Sequence, residues 1–132
     1  MRRRSCRVRI TTPGAADVAA ADVKADDLAA VVVPGGFAPD LMRRDPAMVD
    51  LVAAVNAAGK PVAAICHAGW VLISAGIVKD RSVTSFHSIR VDMENAGGAW
   101  QDAEVVVDGN LITSRHPGDL PAFMVALLEQ LG

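Results

Sequence analysis

Apolar positions along this chain fall alternately into short unbroken runs and longer periodic stretches. Ala30–Val33 is a continuous apolar run that stops at Pro34-Gly35-Gly36, as a strand buried on both faces does when it ends in a sharp turn. Asp45 then reads as an N-cap and Pro46 as the first helical residue. Met48, Leu51, Val52 and Val55 share one face of that helix, and Gly59 falls just past its end. Pro61–Ile65 predicts a second buried strand. It runs into Cys66-His67 and a helix over His67–Ala75, closed by Gly76 and apolar almost all round. Val83–Ser85 predicts a further strand and Ile89–Ala96 a helix with a polar face. Glu104–Val107 and Leu111–Ser114 flank Asp108-Gly109-Asn110, the strongest hairpin signal in the chain. Pro121 in a first turn, followed by Phe123, Met124, Leu127, Leu128 and Leu131, predicts a closing amphipathic helix. Alternating strands and helices imply an α/β fold, with a mostly parallel sheet and helices on its faces.

Composition narrows the class. With 132 residues, 52% of them hydrophobic and 21% charged, the chain suits one globular domain over residues 1–132, without repeats or low-complexity linkers. The net charge of −2 gives no overall electrostatic support for nucleic-acid binding. The cluster Arg2, Arg3, Arg4, Arg7 and Arg9 reads as a solvated terminus. Those arginines lead into Val8–Thr12 and not into an apolar signal segment, and no apolar run is long enough to span a bilayer. Cys6 and Cys66 do not form a disulfide framework, so the expected location is a reducing cytoplasm. The chain contains no tyrosine, so no phenol is available as an acid or donor.

The chemistry concentrates at the strand–Cys66–helix junction. A residue at such a turn projects above the carboxyl edge of the sheet, where open α/β folds bind ligands. The first amides of the following helix favour a thiolate and can donate to a developing oxyanion. The arrangement parallels a nucleophile elbow, although Gly-x-Ser-x-Gly is absent. A buried structural cysteine is the alternative. His67 becomes a partner for Cys66 only if the turn is distorted, because neighbours in a regular helix point apart. Asp40, beyond the Pro34-Gly35-Gly36 turn, is a candidate acid to orient His67, with a plain loop carboxylate as the alternative. Gly35 and Gly36 either admit a ligand close to the backbone or simply turn the chain. Cys66, His67, His87 and His116 lack the spacing of a structural zinc site.

Taken together, VVVPGGFAPDLMRRDPAMVDLV, GKPVAAICHAGWVLISAGIVKDRSVTS, IRVDMENAGGAWQDAEVVVDGNLITSR and PGDLPAF resemble the ThiJ/PfpI family from about Asp26 to the end. The resemblance implies a flavodoxin-like three-layer sandwich akin to class I glutamine amidotransferase domains. It implies Cys66 as nucleophile, His67 as its partner, and Asp40 as an acid supplied to His67 from a neighbouring subunit. Gly36 and His67 would contribute the oxyanion-hole amides. The substrate would be a peptide or a small carbonyl compound, such as an α-oxoaldehyde or its adduct with an amine or thiol. A homo-oligomer is expected, with no cofactor, metal, nucleic acid or membrane involved.

Three departures from the family pattern stand out. Its opening strand and helix, whose loop brings a glutamate to the cysteine, find no match, so the chain is expected to be N-terminally truncated relative to the family. Phe86 stands where a tyrosine is common, and Val91 where an acid is common. The truncation predicts modest stability and weak turnover, with Ser5–Thr12 or a partner chain covering an open sheet edge. The leading reading is therefore a cysteine-dependent hydrolase. The alternatives are a non-catalytic redox-sensing or stress-response module and an inactive truncated homologue. A glutamine amidotransferase using His116 fits less well, because TSR-x-P-x-D-L is the local match.

Overall fold

The computed structural model describes residues 16–132. The arginine cluster, Cys6 and the Ser5–Thr12 segment considered for the sheet edge lie outside the described residues. Strands β1 (Val31–Val33), β2 (Val62–Ile65), β5 (Val106–Asp108) and β6 (Leu111–Ser114) form one sheet in the order β1-β2-β6-β5. The first three in that order run parallel, with Val32 opposite Ala63 and Ala63 opposite Ile112. Every residue of β2 and of β6 is buried, which explains why both read as unbroken apolar or small-residue runs. β5 joins β6 antiparallel through the expected Asp108-Gly109-Asn110 turn, where Gly109 takes a φ of 58°.

Helices cover both faces of the sheet. On one side α2 (Pro46–Ala57) and α3 (Gly69–Ser74) bury Val52, Val55, Val71 and Leu72 with Val33, Val62 and Ala64. On the other, α5 (Leu120–Leu131) buries Phe123, Ala126 and Leu127 against Ala63, Ile65 and Ile112. The resulting three-layer α/β architecture is the one expected. The start of α2 is as anticipated: the Asp45 side chain accepts from the Ala47 amide at 3.0 Å and Pro46 occupies the first turn.

Four local expectations needed correction. Asp40 is not in a loop but in the first turn of α1 (Ala38–Met42), which Pro39 helps to start. The helix expected from His67 begins later: Cys66–Ala68 forms a 3-10 turn, and α3 starts only at Gly69. The strand expected at Val83–Ser85 is β3 (Ser82–Val83), which pairs with β4 (Ala99–Trp100) outside the main sheet. Thr84 instead donates its amide to the Thr113 hydroxyl at 2.9 Å, so side-chain bonding replaces the ladder there. Finally, only part of the apolar stripe of α5 is covered. Met124, Leu128 and Leu131 remain exposed, because the sheet reaches one flank of the helix and not the other. The polar helix is α4 (Arg90–Asn95), preceded by a 3-10 turn over His87–Ile89.

Candidate active site

The carboxyl ends of β1 and β2 lie side by side, so the glycine turn after β1 meets the cysteine after β2. Cys66 adopts a φ of 62°, in the left-handed region that a residue with a β-carbon enters at a cost of about 1–3 kcal/mol. This is the distortion needed for Cys66 and His67 to face each other despite being adjacent. Gly35 makes room for it: a β-carbon there would stand 2.7 Å from the Cys66 β-carbon and 3.3 Å from its Sγ. Gly36 has a φ of 74°, a second reason for glycine in this turn. The Phe86 amide donates to the Cys66 carbonyl at 3.1 Å, fastening the elbow to the segment after β3.

His67 is engaged at both ring nitrogens and by two aromatic rings. Its Nδ1 lies 3.2 Å from Cys66 Sγ, and its Nε2 lies 3.2 Å from Ser88 Oγ. Phe86 stacks on the imidazole at a centroid distance of 5.0 Å, and Trp70 meets its edge at 5.2 Å. Trp70 is held in turn by Asp92, which accepts from its indole N–H at 2.9 Å, while Arg43 lies over its ring. Partial burial, and secondarily the nearby His87, push the His67 imidazole below the ordinary histidine value. Both causes favour the neutral imidazole, the form that can accept a proton.

Asp40 is not bonded to His67 within the chain. Its carboxylate pairs with Arg44 at 2.6 Å and remains half exposed. The Gly36 amide has no hydrogen-bond acceptor among the described residues, and its neighbour Gly35 is the glycine that lies against Cys66. His116 accepts from the Gly118 amide and lines a cavity of about 290 Å³ with Phe86, His87, Trp100 and Arg115. Arg115 is held in that wall by the buried Asp119, which accepts from its backbone amide and from two side-chain nitrogens. Among the described residues no group of three or more histidine, cysteine or acidic side chains is placed to hold a metal ion. No helix among them is long and apolar enough to cross a membrane.

Cys66, His67 and the glycine turn, all named from the sequence, are brought together by the fold. Ser88 and Trp70 were missed, and Gly35 was given no specific contact. No periodicity marks a single polar or aromatic residue as facing an imidazole contributed by another segment, so no signal was available for the first two. The sequence did single out Phe86, as a substitution for tyrosine, but not its stacking on His67.

Comparison with known proteins identifies the family. A Thermococcus kodakarensis protein named Deglycase TK1284 is 51% identical over 115 residues, covering 87% of this chain and 69% of that protein. Pyrococcus furiosus Deglycase PfpI is 50% identical over 110 residues, covering 83% of this chain and 66% of that protein. The chain thus spans about two thirds of the length of both. In the crystal structure of an Anabaena variabilis two-domain protein containing DJ-1/ThiJ/PfpI-like and ferritin-like domains, the matching part superposes with a TM-score of 0.90 at 46% identity. That match covers 92% of this chain and 35% of the other. The DJ-1/PfpI family model matches residues 8–130, beginning upstream of the Asp26 at which the motif resemblance starts. The chain belongs to the DJ-1/PfpI family.

Proposed function

We propose that this chain is a cysteine-dependent hydrolase of the deglycase type, acting on small α-oxoaldehyde adducts of amines or thiols. The observation that carries the reading is Cys66 in a left-handed conformation, its Sγ 3.2 Å from Nδ1 of a histidine whose proton affinity is lowered. His67 takes the Cys66 proton, and Sγ takes the place of the amine or thiol on the carbinol carbon of the adduct, the leaving group departing with that proton. The hydrogen on this carbon then passes as a proton to His67 and back to the neighbouring carbon, through an enediolate whose oxygen the amides of Gly36 and His67 receive. The carbinol carbon is thereby oxidised to a thioester as the ketone is reduced to a hydroxyl, with no outside oxidant. Water then hydrolyses the thioester with His67 as base, releasing a 2-hydroxy acid and regenerating the thiol. The deglycase names of two relatives at about half identity favour an adduct over a peptide bond as substrate.

Asp40 enters this reading as an acid lent to His67 by a second copy of the chain. Its position in the exposed first turn of α1 is compatible with a symmetric contact. Turnover of an α-oxoaldehyde–amine adduct by wild type and Cys66→Ser is the primary test. Multiple turnovers that vanish in Cys66→Ser support the enzyme; stoichiometric oxidation of Cys66 without turnover supports a redox sensor instead. Mixing inactive Cys66→Ser and Asp40→Ala subunits then tests the shared site. Recovery of activity in verified mixed oligomers supports Asp40 in trans, and its absence places the orienting group within one chain.

A further inference from the structure

Both ring nitrogens of His67 are occupied by its own chain: Nδ1 faces Cys66 Sγ and Nε2 faces Ser88 Oγ, each at 3.2 Å. A neutral imidazole carries one hydrogen, on one nitrogen. For Nδ1 to receive the proton of Cys66, that hydrogen must sit on Nε2, and an acceptor opposite Nε2 favours this tautomer. In a Ser-His-Asp triad a carboxylate takes that part. Here the nearby carboxylates are engaged elsewhere, Asp40 with Arg44 and Asp92 with the Trp70 indole. The group opposite Nε2 is a hydroxyl.

We propose that Ser88 is a positioning residue of this site, whose hydroxyl oxygen accepts the Nε2 hydrogen of His67 and keeps Nδ1 open toward Cys66. Local structure puts it there. The Phe86 amide donates to the Cys66 carbonyl at 3.1 Å and the Ile89 amide to the Phe86 carbonyl at 3.1 Å. These bonds wind the 3-10 turn His87–Ile89, with Ile89 anchored in the core, so that Ser88 lies beside the imidazole. Stacking on Phe86 and the edge contact with Trp70 fix the ring plane. A half-turn of the ring within that plane breaks both hydrogen bonds at once, so Ser88 and Cys66 together select one orientation. A hydroxyl brings no negative charge, so it orients the ring while favouring the imidazolium far less than a carboxylate would.

The inference rests on the Cys66–His67 reading above and deepens it, with one consequence for Asp40. Ser88 orients the ring from within one chain and the Asp40 carboxylate of a second copy would act on the same imidazole, so variants at the two positions measure the share of each. The decisive measurement is the His67 tautomer by ¹⁵N NMR on histidine-labelled full chain, for wild type, Ser88→Ala, Ser88→Thr and Asp40→Asn. Wild type should hold the Nε2–H form. Ser88→Ala should raise the Nδ1–H population and slow Cys66 alkylation by iodoacetamide roughly two- to tenfold, the weight of one hydrogen bond. Ser88→Thr, which keeps the hydroxyl, should restore both. A wild-type tautomer and alkylation rate in Ser88→Ala overturn the proposal, as does a tautomer that shifts with Asp40→Asn but not with Ser88→Ala. If wild-type Cys66 alkylates no faster than in the urea-unfolded chain, the nucleophile reading fails, and the tautomer result still decides the role of Ser88.

Discussion

In the native chain the α-carbon of Gly35 lies directly against Cys66, and replacing it with alanine tests how tightly the glycine turn defines the site. The new methyl group would stand 2.7 Å from the Cys66 β-carbon, 3.1 Å from the Ile65 carbonyl oxygen and 3.3 Å from Sγ. Reaching ordinary contact, which begins at 3.4 Å, requires the turn and the elbow to part by at least about 0.7 Å. Neither side yields easily. Ile65 is in the fully buried β2, and Cys66 is already held in a left-handed conformation. Overpacking of this kind costs about 1–3 kcal/mol of stability. A displacement approaching 1 Å at a reacting centre lowers turnover by up to about a hundredfold. Two glycines provide the control: Gly59 and Gly76 have φ values of 73° and 71° but nothing within 4 Å of an added β-carbon. Gly59→Ala and Gly76→Ala therefore suffer only the left-handed penalty, about 1 kcal/mol each, with turnover unchanged. Urea unfolding gives the stabilities, and adduct turnover with Cys66 alkylation reports the site. Wild-type turnover and alkylation in Gly35→Ala, at unchanged stability, would refute the claim that this close approach shapes the elbow.

Three further outcomes follow from the same geometry. Cys66→Gly and Cys66→Ala should both abolish turnover, but Cys66→Gly should be the more stable, by about 1 kcal/mol, because glycine accepts the left-handed φ; a lower melting point for Cys66→Gly counts against backbone strain at the elbow. Asp119→Asn should lose about 2–3 kcal/mol at pH 7, since the buried carboxylate accepts charged hydrogen bonds from Arg115. Those bonds hold the Asp119 carboxyl below its ordinary range, so the stabilisation is complete above the unfolded value and fades as pH falls through the folded one. Urea midpoints of wild type and Asp119→Asn should accordingly converge below pH ~4. In an NMR pH series the His67 ring should titrate below 6.5, and His87→Gln should raise its midpoint only modestly, because burial, not His87, is the principal cause.

Most of the fold was legible because its strands and its longer helices are defined by local patterns. The apolar runs at β1 and β2, the Asp108-Gly109-Asn110 turn and the Asp45-Pro46 helix start each carry their own signal within a few residues. The errors fall where distant partners decide the outcome. α1 is only five residues long, and it packs between the glycine turn and α3 without a recognisable apolar period. β4 is two residues long and exists through its pairing with β3. On α5, the positions Phe123, Met124, Leu127, Leu128 and Leu131 form one broad apolar arc, and nothing within the helix says which half meets the sheet.

The site divides along the same line. Position alone left Cys66 balanced between a reactive thiol at the sheet edge, where α/β folds bind ligands, and a buried structural cysteine. The motif resemblance tipped that balance and gave roles to His67, Asp40 and Gly36. Local sequence also raised the objection that adjacent helical residues do not face each other, and the structure removes it with one backbone angle, φ 62° at Cys66. That angle is set by tertiary fit: Gly35 clears the space, and the Phe86 amide holds the Cys66 carbonyl. Ser88 depends on the same fastening. A residue 21 positions along the chain comes to face the imidazole because the segment after β3 is tied to the elbow by a backbone hydrogen bond. The strand-to-turn position of Cys66 is thus written in the sequence close to the residue itself, whereas the groups that surround His67 arrive through the packing of separate segments.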